Sequence, residues 1–139
     1  MRVFMDANCL FSAIVSPSGG SGKILKMAQQ KMLRLVLTRS VIQEAERNLR
    51  ERKGDFAVMK LSVALTYADR EIIADPSTDD ESRWHEITAE KDRHILAGAC
   101  KGNADVLISL DKHHILTEKV KQGFPISVMK PGEFLQRHL

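Results

Sequence analysis

The chain opens with the stretch RVFMDANCL, residues 2–10, which is the key to its fold. A short apolar run leads into Asp6, and the residues from Cys9 to Val15 are typical of a helix. This pattern predicts a buried strand that ends at a carboxylate and is followed at once by a helix. Ligands of open α/β sheets collect at the carboxyl ends of the strands. Asp6 is therefore the first candidate functional residue.

Strand-like and helix-like segments alternate along the rest of the chain. Further strands are predicted at 33–38, 71–74, 105–109 and 125–129, and further helices at 21–32, 40–53, 55–68, 91–101 and 132–138. Such alternation indicates a parallel sheet with helices on both faces. We expect a single three-layer α/β/α domain over residues 1–139, with a central, mostly parallel, five-stranded sheet.

Local signals define several of these elements more closely. Ser21 and Ser40 are predicted to cap helices, and Gly54 separates two helices. Residues 75–82 are acidic and rich in turn formers, which predicts a solvated loop. A short helical turn is expected after Asp111. The apolar positions of the second and fourth helices are Ile24, Leu25, Ala28 and Met32, and Phe56, Met59, Val63 and Tyr67.

The composition is that of an ordinary globular protein. Of 139 residues, 43% are hydrophobic and 28% are charged, which suits one domain with a sizeable core. Aromatic content of 5% argues against base stacking as the main binding device, and the net charge of +3 only weakly supports a polyanionic partner. Cys9 and Cys100 are expected to be reduced thiols. Because Asp6 interrupts the first apolar run and no run is long enough to span a membrane, we expect a cytoplasmic protein without membrane contacts.

The stretch Gly20-Ser21-Gly22-Lys23 resembles part of a phosphate-binding loop. The full motif needs a glycine where Pro17 stands and a serine or threonine where Ile24 stands. We therefore reject an ATPase and interpret the stretch as a turn that leads into a helix.

Four acids stand out by their positions. Asp6 and Asp111 each follow an apolar strand, and a doubly wound sheet can place those two strands side by side. Asp92 shares the inward-facing stripe of its helix. Glu44 lies at the margin of an apolar helix face, where periodicity does not separate it from Glu46.

A cluster of carboxylates needs a counter-charge. Like charges repel at close range and ionised acids are costly to bury, so such a cluster binds either protons or a cation. Mg²⁺ and Mn²⁺ prefer oxygen ligands and assist the hydrolysis of phosphate esters. No Cys/His spacing in the sequence is typical of zinc, because His113 and His114 are adjacent and point apart.

Each acid also has a structural interpretation. Asp6 and Asp111 are suitable helix caps, and Asp92 in a first helical turn interacts favourably with the helix dipole. Glu44 taken alone is typical of a helix surface. The joint placement of the acids at one predicted sheet edge favours a functional role.

Other polar residues extend the candidate set. Asn8 and Ser109 either support the acids by hydrogen bonds or serve as a cap and a strand-end hydroxyl. Asp105 begins the fourth strand, at the end opposite Asp111, and is expected to be structural. Basic residues near the first helices form either a solvated face or a surface that steers RNA; they are Lys23, Lys26, Arg39, Arg47, Arg50, Arg52 and Lys53.

Five ordered segments resemble the PIN-domain nucleases, in particular the toxin-like branch found in prokaryotic toxin–antitoxin pairs. The segments are VFMDANCL at 3–10, TRSVIQE at 38–44, KDRHILAGA at 91–99, ADVLISLD at 104–111 and PISVMKPGEFL at 125–135. Each segment alone is weakly specific, but their order and spacing agree along nearly the whole chain.

The resemblance implies a ribonuclease that depends on Mg²⁺ or Mn²⁺. It implies that Asp6, Glu44, Asp92 and Asp111 are the metal-binding and catalytic acids, and it selects Glu44 over Glu46. Two polar groups are implied in support, at positions 8 and 109. The resemblance also suggests a homodimer in which the helices from residue 40 to residue 68 clasp an antitoxin peptide.

The acidic segment 75–90 is longer than the family pattern suggests. Its length leaves two candidates for the third acid, Asp92 and Glu90, of which the apolar stripe favours Asp92.

Two other functions are compatible with the sequence. The first is a phosphatase or phosphotransfer domain with Asp6 as nucleophile, although the usual pattern has a second aspartate where Asn8 stands. The second is a catalytically inactive PIN-like module that binds RNA or protein. Endoribonuclease activity, as the toxin of a toxin–antitoxin pair, remains the leading hypothesis.

Overall fold

The computed structural model describes residues 1–138 as a parallel sheet covered by helices. The strands are β1 (Arg2–Met5), β2 (Arg34–Thr38), β3 (Arg70–Ile73), β4 (Val106–Ile108) and β5 (Ser127–Met129). The helices are α1 (Ala7–Val15), α2 (Gly20–Gln29), α3 (Arg39–Lys53), α4 (Asp55–Tyr67), α5 (Thr78–Ser82), α6 (Arg93–Lys101), α7 (Glu118–Gly123) and α8 (Pro131–His138).

The five strands have the order β3-β2-β1-β4-β5 and all pairings are parallel. The first strand lies at the centre, where Phe4 pairs with Val36 on one side and with Leu107 on the other. This central strand is fully buried from Val3 to Met5, because helices cover both faces of the sheet. The predicted three-layer α/β/α architecture is confirmed, and the carboxyl ends of β1 and β4 are neighbours.

Two predicted helix caps are wrong. Ser21 is buried inside α2, which begins after the extended residue Gly19. Thr38, not Ser40, caps α3, since its hydroxyl accepts a hydrogen bond from the backbone N–H of Val41 at 3.2 Å. The sequence contained a suitable capping residue at each of several neighbouring positions, and packing selected among them.

Met32 and the apolar residues chosen on α4 do not face the core. The helix α2 ends at Gln29, after which Lys31 adopts a positive φ of 62°, and Met32 is 58% exposed. On α4 the buried positions are Leu61 and Leu65. Its other side exposes a stripe of large apolar side chains, which are Phe56, Met59, Val63 and Tyr67.

Two short helices were not predicted. Within the acidic segment expected to be a loop, α5 forms because Ser77 and Asp80 make a capping box. Thr117 caps α7, whereas residues after Asp111 form only turns. The helix predicted from residue 91 begins as a 3-10 turn at Glu90–Asp92 and becomes α-helical at Arg93.

The glycines of the rejected phosphate-loop motif serve close packing. A Cβ atom at Gly22 would collide with the backbone carbonyl of Pro17, and one at Gly20 would meet Pro131. Within residues 1–138, no helix has the length and apolar character needed to cross a bilayer.

Candidate functional site

Asp6 lies directly after β1, at the carboxyl edge of the sheet. Its Oδ1 accepts a hydrogen bond from the backbone N–H of Cys9 at 3.1 Å, so the side chain does cap α1. Only 6% of the residue is exposed. The capping interpretation therefore accounts for one carboxylate oxygen and leaves the burial of the other to be explained.

Ser109 connects Asp6 to the end of β4. Its hydroxyl donates to Oδ2 of Asp6 at 2.5 Å and accepts from the backbone N–H of Asp111 at 3.0 Å. The Ser109 backbone N–H donates to the carbonyl of Met129 on β5, and the residue is fully buried. This position, predicted as a supporting group, fixes the geometry between the first and last acids of the set.

Asp111 orders the loop that follows β4. Its Oδ1 accepts hydrogen bonds from the backbone N–H groups of His113 and His114, at 2.9 and 3.0 Å. These bonds hold one oxygen in place, while the side chain still lines the cavity described below.

Asp92 enters the site from the junction between the 3-10 turn and α6. Its Oδ2 is buried and accepts no hydrogen bond from any residue in 1–138; Nδ1 of His114 lies 4.0 Å away. A buried carboxylate oxygen without a partner is costly when ionised, so this site favours either a proton on Asp92 or a cation beside it.

The four acids line one cavity of about 180 Å³, which we call the acid cavity. Its remaining walls are Ala7, Asn8, Lys91, His94, Ile95 and Ile115. Glu44 reaches it from α3, whereas Glu46 and Glu90 are absent from its lining. Asn8 is exposed at the cavity wall, Ser109 lies behind Asp6, and Asp105 accepts from the backbone N–H of Arg2 at the opposite end of the sheet.

Burial and mutual repulsion make two of these acids reluctant to ionise. Burial raises the pKa of Asp6, hydrogen bonds from Ser109 and Cys9 offset part of the shift, and the charge of Asp111 adds to it. Burial, followed by the charge of Asp111, raises the pKa of Asp92. A cation in the cavity would reverse both effects.

The chain matches a family model described as PIN domain over residues 2–113. The chain belongs to the PIN domain family. The matched region contains all four acids together with both supporting residues, and the predicted resemblance to this family is confirmed.

Several solved structures have a similar fold. VapC20 of Mycobacterium tuberculosis, described as a Sarcin-Ricin loop cleaving toxin, has 14% identity and a TM-score of 0.58, with 88% of this chain and 95% of that chain covered. PAE2754 of Pyrobaculum aerophilum has 18% identity and a TM-score of 0.64, with 99% and 88% covered. VapBC2 of Rickettsia felis, bound to a DNA fragment from its promoter, has 17% identity and a TM-score of 0.66, with 94% and 98% covered. No curated protein matched the chain.

The donor set of this PIN domain fits a hard divalent cation. All four acids offer oxygen ligands, and Asp92 presents an oxygen without a partner. Across residues 1–138, no three Asp, Glu, His or Cys side chains are yet grouped closely enough to hold a metal ion. The chemistry of the residues therefore suits Mg²⁺ or Mn²⁺, and the acids would have to converge on the ion.

Two cavity residues were missed by the sequence analysis. Lys91 and His94 flank Asp92 and both line the acid cavity. Helical periodicity gave no signal for them, because positions one and two residues from Asp92 do not share its helix face.

Proposed function

We propose that this PIN domain is a Mg²⁺- or Mn²⁺-dependent endoribonuclease that hydrolyses RNA phosphodiester bonds. Asp6, Glu44, Asp92 and Asp111 are the proposed metal-binding and catalytic acids, with Asn8 and Ser109 in support. The observation that carries the proposal is the acid cavity itself, where four carboxylates from separate elements line one space at the carboxyl edge of β1 and β4. A structural role as helix caps explains only part of this shared placement.

The ion would be held by Asp6, Asp92 and Asp111, with Glu44 holding the ion or its water. When bound, a divalent cation of this kind offsets charge on the phosphate and acidifies the attacking water. The protein contributes the arrangement. Ser109 keeps Asp6 in a single orientation through its 2.5 Å hydrogen bond, and the loop after Asp111 is ordered by its own carboxylate.

We further propose that the protein is the cytoplasmic toxin of a toxin–antitoxin pair and that it forms a homodimer. Similarity in fold to VapC20 and VapBC2 supports this proposal. So does the exposed apolar stripe of α4, whose side chains are 50–70% exposed at Phe56, Met59, Val63 and Tyr67. An apolar stripe of this size on a helix is typical of a surface that a partner covers. The resemblance of the sequence suggests the homodimer, and it suggests that the helices from residue 40 to residue 68, which are α3 and α4, clasp the antitoxin peptide.

The central experiment compares wild-type protein with Asp6→Asn and Asp105→Asn. Asp6→Asn retains an oxygen that can accept from the backbone N–H of Cys9 and cap α1, and it removes one negative charge from the proposed ligands. Asp105→Asn makes the same change at the opposite end of the sheet. We expect wild type and Asp105→Asn to bind Mn²⁺ and to cleave RNA, and Asp6→Asn to lose cleavage with an unchanged circular dichroism spectrum. Cleavage by folded Asp6→Asn at the wild-type rate would refute the assignment.

Two further readouts separate the alternatives. Trapping of a phosphoryl group on Asp6 would favour the phosphatase, and an absence of saturable Mn²⁺ binding would favour an inactive binding module. Expression in cells tests the toxin role, since growth arrest by wild type that Asp6→Asn relieves is expected of a nuclease toxin. If the protein is an active nuclease but its expression is harmless, the toxin role is refuted and the nuclease proposal stands.

A further inference from the structure

A second cavity adjoins the acid cavity. It has a volume of about 220 Å³ and is lined by Ser40, Gln43, Glu44, Arg47 and His94; we call it the polar cleft. Glu44 and His94 line both cavities. The two spaces therefore share a wall and form adjoining parts of one surface depression.

The polar cleft is built mainly by one face of α3. Positions 40, 43 and 47 are separated by three and four residues, so their side chains project on the same side of the helix. They supply a hydroxyl, a carboxamide and a guanidinium. Gln43 and Arg47 are exposed. This face thus presents hydrogen-bond donors and a permanent positive charge beside a cavity of acids.

Two backbone amides in the first turn of α3 already have side-chain acceptors. Thr38 accepts from the N–H of Val41, and Asp75 accepts from the N–H of Ser40 at 2.9 Å. The hydrogen bond to Ser40 lowers the pKa of Asp75, so this carboxylate is ionised and takes the place that an anion would occupy at the helix end. Recognition in the cleft must come from side chains, chiefly from Arg47.

His94 is poorly satisfied by the protein. Its Nδ1 is buried and has no hydrogen-bond partner among residues 1–138. The protein therefore leaves part of the hydrogen-bonding capacity of this ring unused. His94 forms the boundary between the two cavities, so a ligand that extends from one cavity to the other would pass beside it.

We infer that the polar cleft binds a phosphate of single-stranded RNA that neighbours the phosphodiester in the acid cavity, with Arg47 as its principal contact. The inference rests on the proposed function. Acids surround the scissile position and repel an RNA backbone. A guanidinium next to them offsets that repulsion and can donate two parallel hydrogen bonds to the oxygens of one phosphate. Because phosphates repeat along the strand, an RNA held in the acid cavity presents another phosphate to the adjoining cleft.

The test measures binding of a short, labelled, single-stranded RNA by fluorescence anisotropy in the presence of Mg²⁺ at several salt concentrations. All proteins carry Asp6→Asn so that the RNA stays intact. Arg47→Gln removes the proposed contact. Arg50→Gln is the matched control, since it makes the same change one turn along α3. Arg50 lines neither cavity and pairs with the exposed residue Asp55.

Arg47→Gln should weaken binding about tenfold, as expected for loss of a charge-assisted hydrogen bond. It should also flatten the plot of log Kd against log salt concentration by about 0.7, the value for one phosphate contact to a single strand. Gln43→Ala should weaken binding without changing that slope, because the carboxamide carries no charge. Single-stranded DNA of the same sequence should show the same loss, since a phosphate contact does not involve the 2′-hydroxyl.

Several results would overturn the inference. If Arg47→Gln and Arg50→Gln have the same effect on RNA affinity and on its salt dependence, the cleft does not bind an RNA phosphate. A loss confined to RNA would show a contact to the sugar instead. Mn²⁺ titration and RNA cleavage, measured with proteins that retain Asp6, distinguish a failure of the nuclease proposal from a failure of the cleft proposal. RNA cleavage with no effect of Arg47→Gln refutes the cleft and leaves the nuclease. An effect of Arg47→Gln without Mn²⁺ binding or cleavage refutes the nuclease and leaves only a phosphate contact at Arg47.

Discussion

The Ser109 hydroxyl donates a 2.5 Å hydrogen bond to Oδ2 of Asp6 and so joins the ends of the two central strands. The same hydroxyl accepts from the backbone N–H of Asp111, so one buried oxygen contacts two of the four acids. The spacing between Asp6 and Asp111 is thereby set by a side chain that does not line the acid cavity. This makes Ser109 the most direct test of how the site is held together.

Replacement of Ser109 by alanine should destabilise the protein by about 1–3 kcal/mol, because it leaves a buried Asp6 oxygen and the Asp111 N–H without a partner. Urea unfolding measures this loss. The affinity for Mn²⁺ should fall in the same variant, since Asp6 is free to turn. Ser127→Ala, at an exposed position on β5, is the control and should change stability by less than about 0.5 kcal/mol. Equal stability of the two variants would contradict the structural role of Ser109.

The meeting of the acids was accessible from the sequence because topology produces it. In a doubly wound parallel sheet the first and fourth strands are neighbours, and the residues after them share an edge. Asp6 and Asp111 follow those strands directly. The inward orientation of Asp92 followed from the apolar stripe of its helix, and the acid cavity includes Asp92 rather than Glu90.

Other features depend on tertiary contacts that no local pattern reveals. Helix α4 is apolar on two sides, so periodicity could not tell the buried side, at Leu61 and Leu65, from the exposed one. Helices α5 and α7 have five and six residues, too few to produce a periodic signal. The role of His94 as a shared wall emerges only when α3 and α6 are placed together.

Asp6→Asn should stabilise the metal-free protein near neutral pH. Burial raises the pKa of Asp6 above its ordinary value of 3.8, so the folded protein binds this proton more tightly than the unfolded chain does. The contribution of Asp6 to stability is therefore complete below 3.8 and is lost as pH rises through the raised pKa. Asparagine cannot ionise, so the variant does not undergo this pH-dependent loss of stability. Urea unfolding in EDTA across a pH series should show the advantage of the variant growing with pH and then levelling off.

Asp75→Asn provides the opposite case within the same pH series. The pKa of Asp75 is lowered by its hydrogen bond with Ser40, so its contribution is present above 3.8 and is lost as pH falls through the lowered value. Asp75→Asn should therefore be less stable than wild type near neutral pH, with a difference that shrinks on acidification. A loss of stability in Asp6→Asn at neutral pH would contradict the effect of burial on Asp6.

Mn²⁺ should stabilise the wild-type protein and do so less as pH falls. A free Mn²⁺ concentration of roughly 100 times Kd is expected to add about 2.7 kcal/mol to the free energy of unfolding, by mass action alone. Protons compete with the ion at Asp6 and Asp92, whose pKa values are both raised by burial, so the gain should diminish on acidification. Thermal unfolding with and without Mn²⁺ measures the effect. The same gain in Asp6→Asn as in wild type would place the ion elsewhere.

Phe124→Ala should loosen the packing of the segment that contains Trp84 and precedes Asp92. Trp84, in that segment, packs edge-to-face on Phe124 with ring centroids 4.9 Å apart, and both residues are buried. Loss of the phenyl ring should cost about 3–5 kcal/mol and shift the emission of Trp84 to the red, because water reaches the indole. Trp84 is the single tryptophan of the chain, so the signal is unambiguous. The control, Phe56→Ala on the exposed stripe of α4, should cost less than about 1 kcal/mol and leave the emission unchanged. Unchanged emission in Phe124→Ala would show that this segment is held by other contacts.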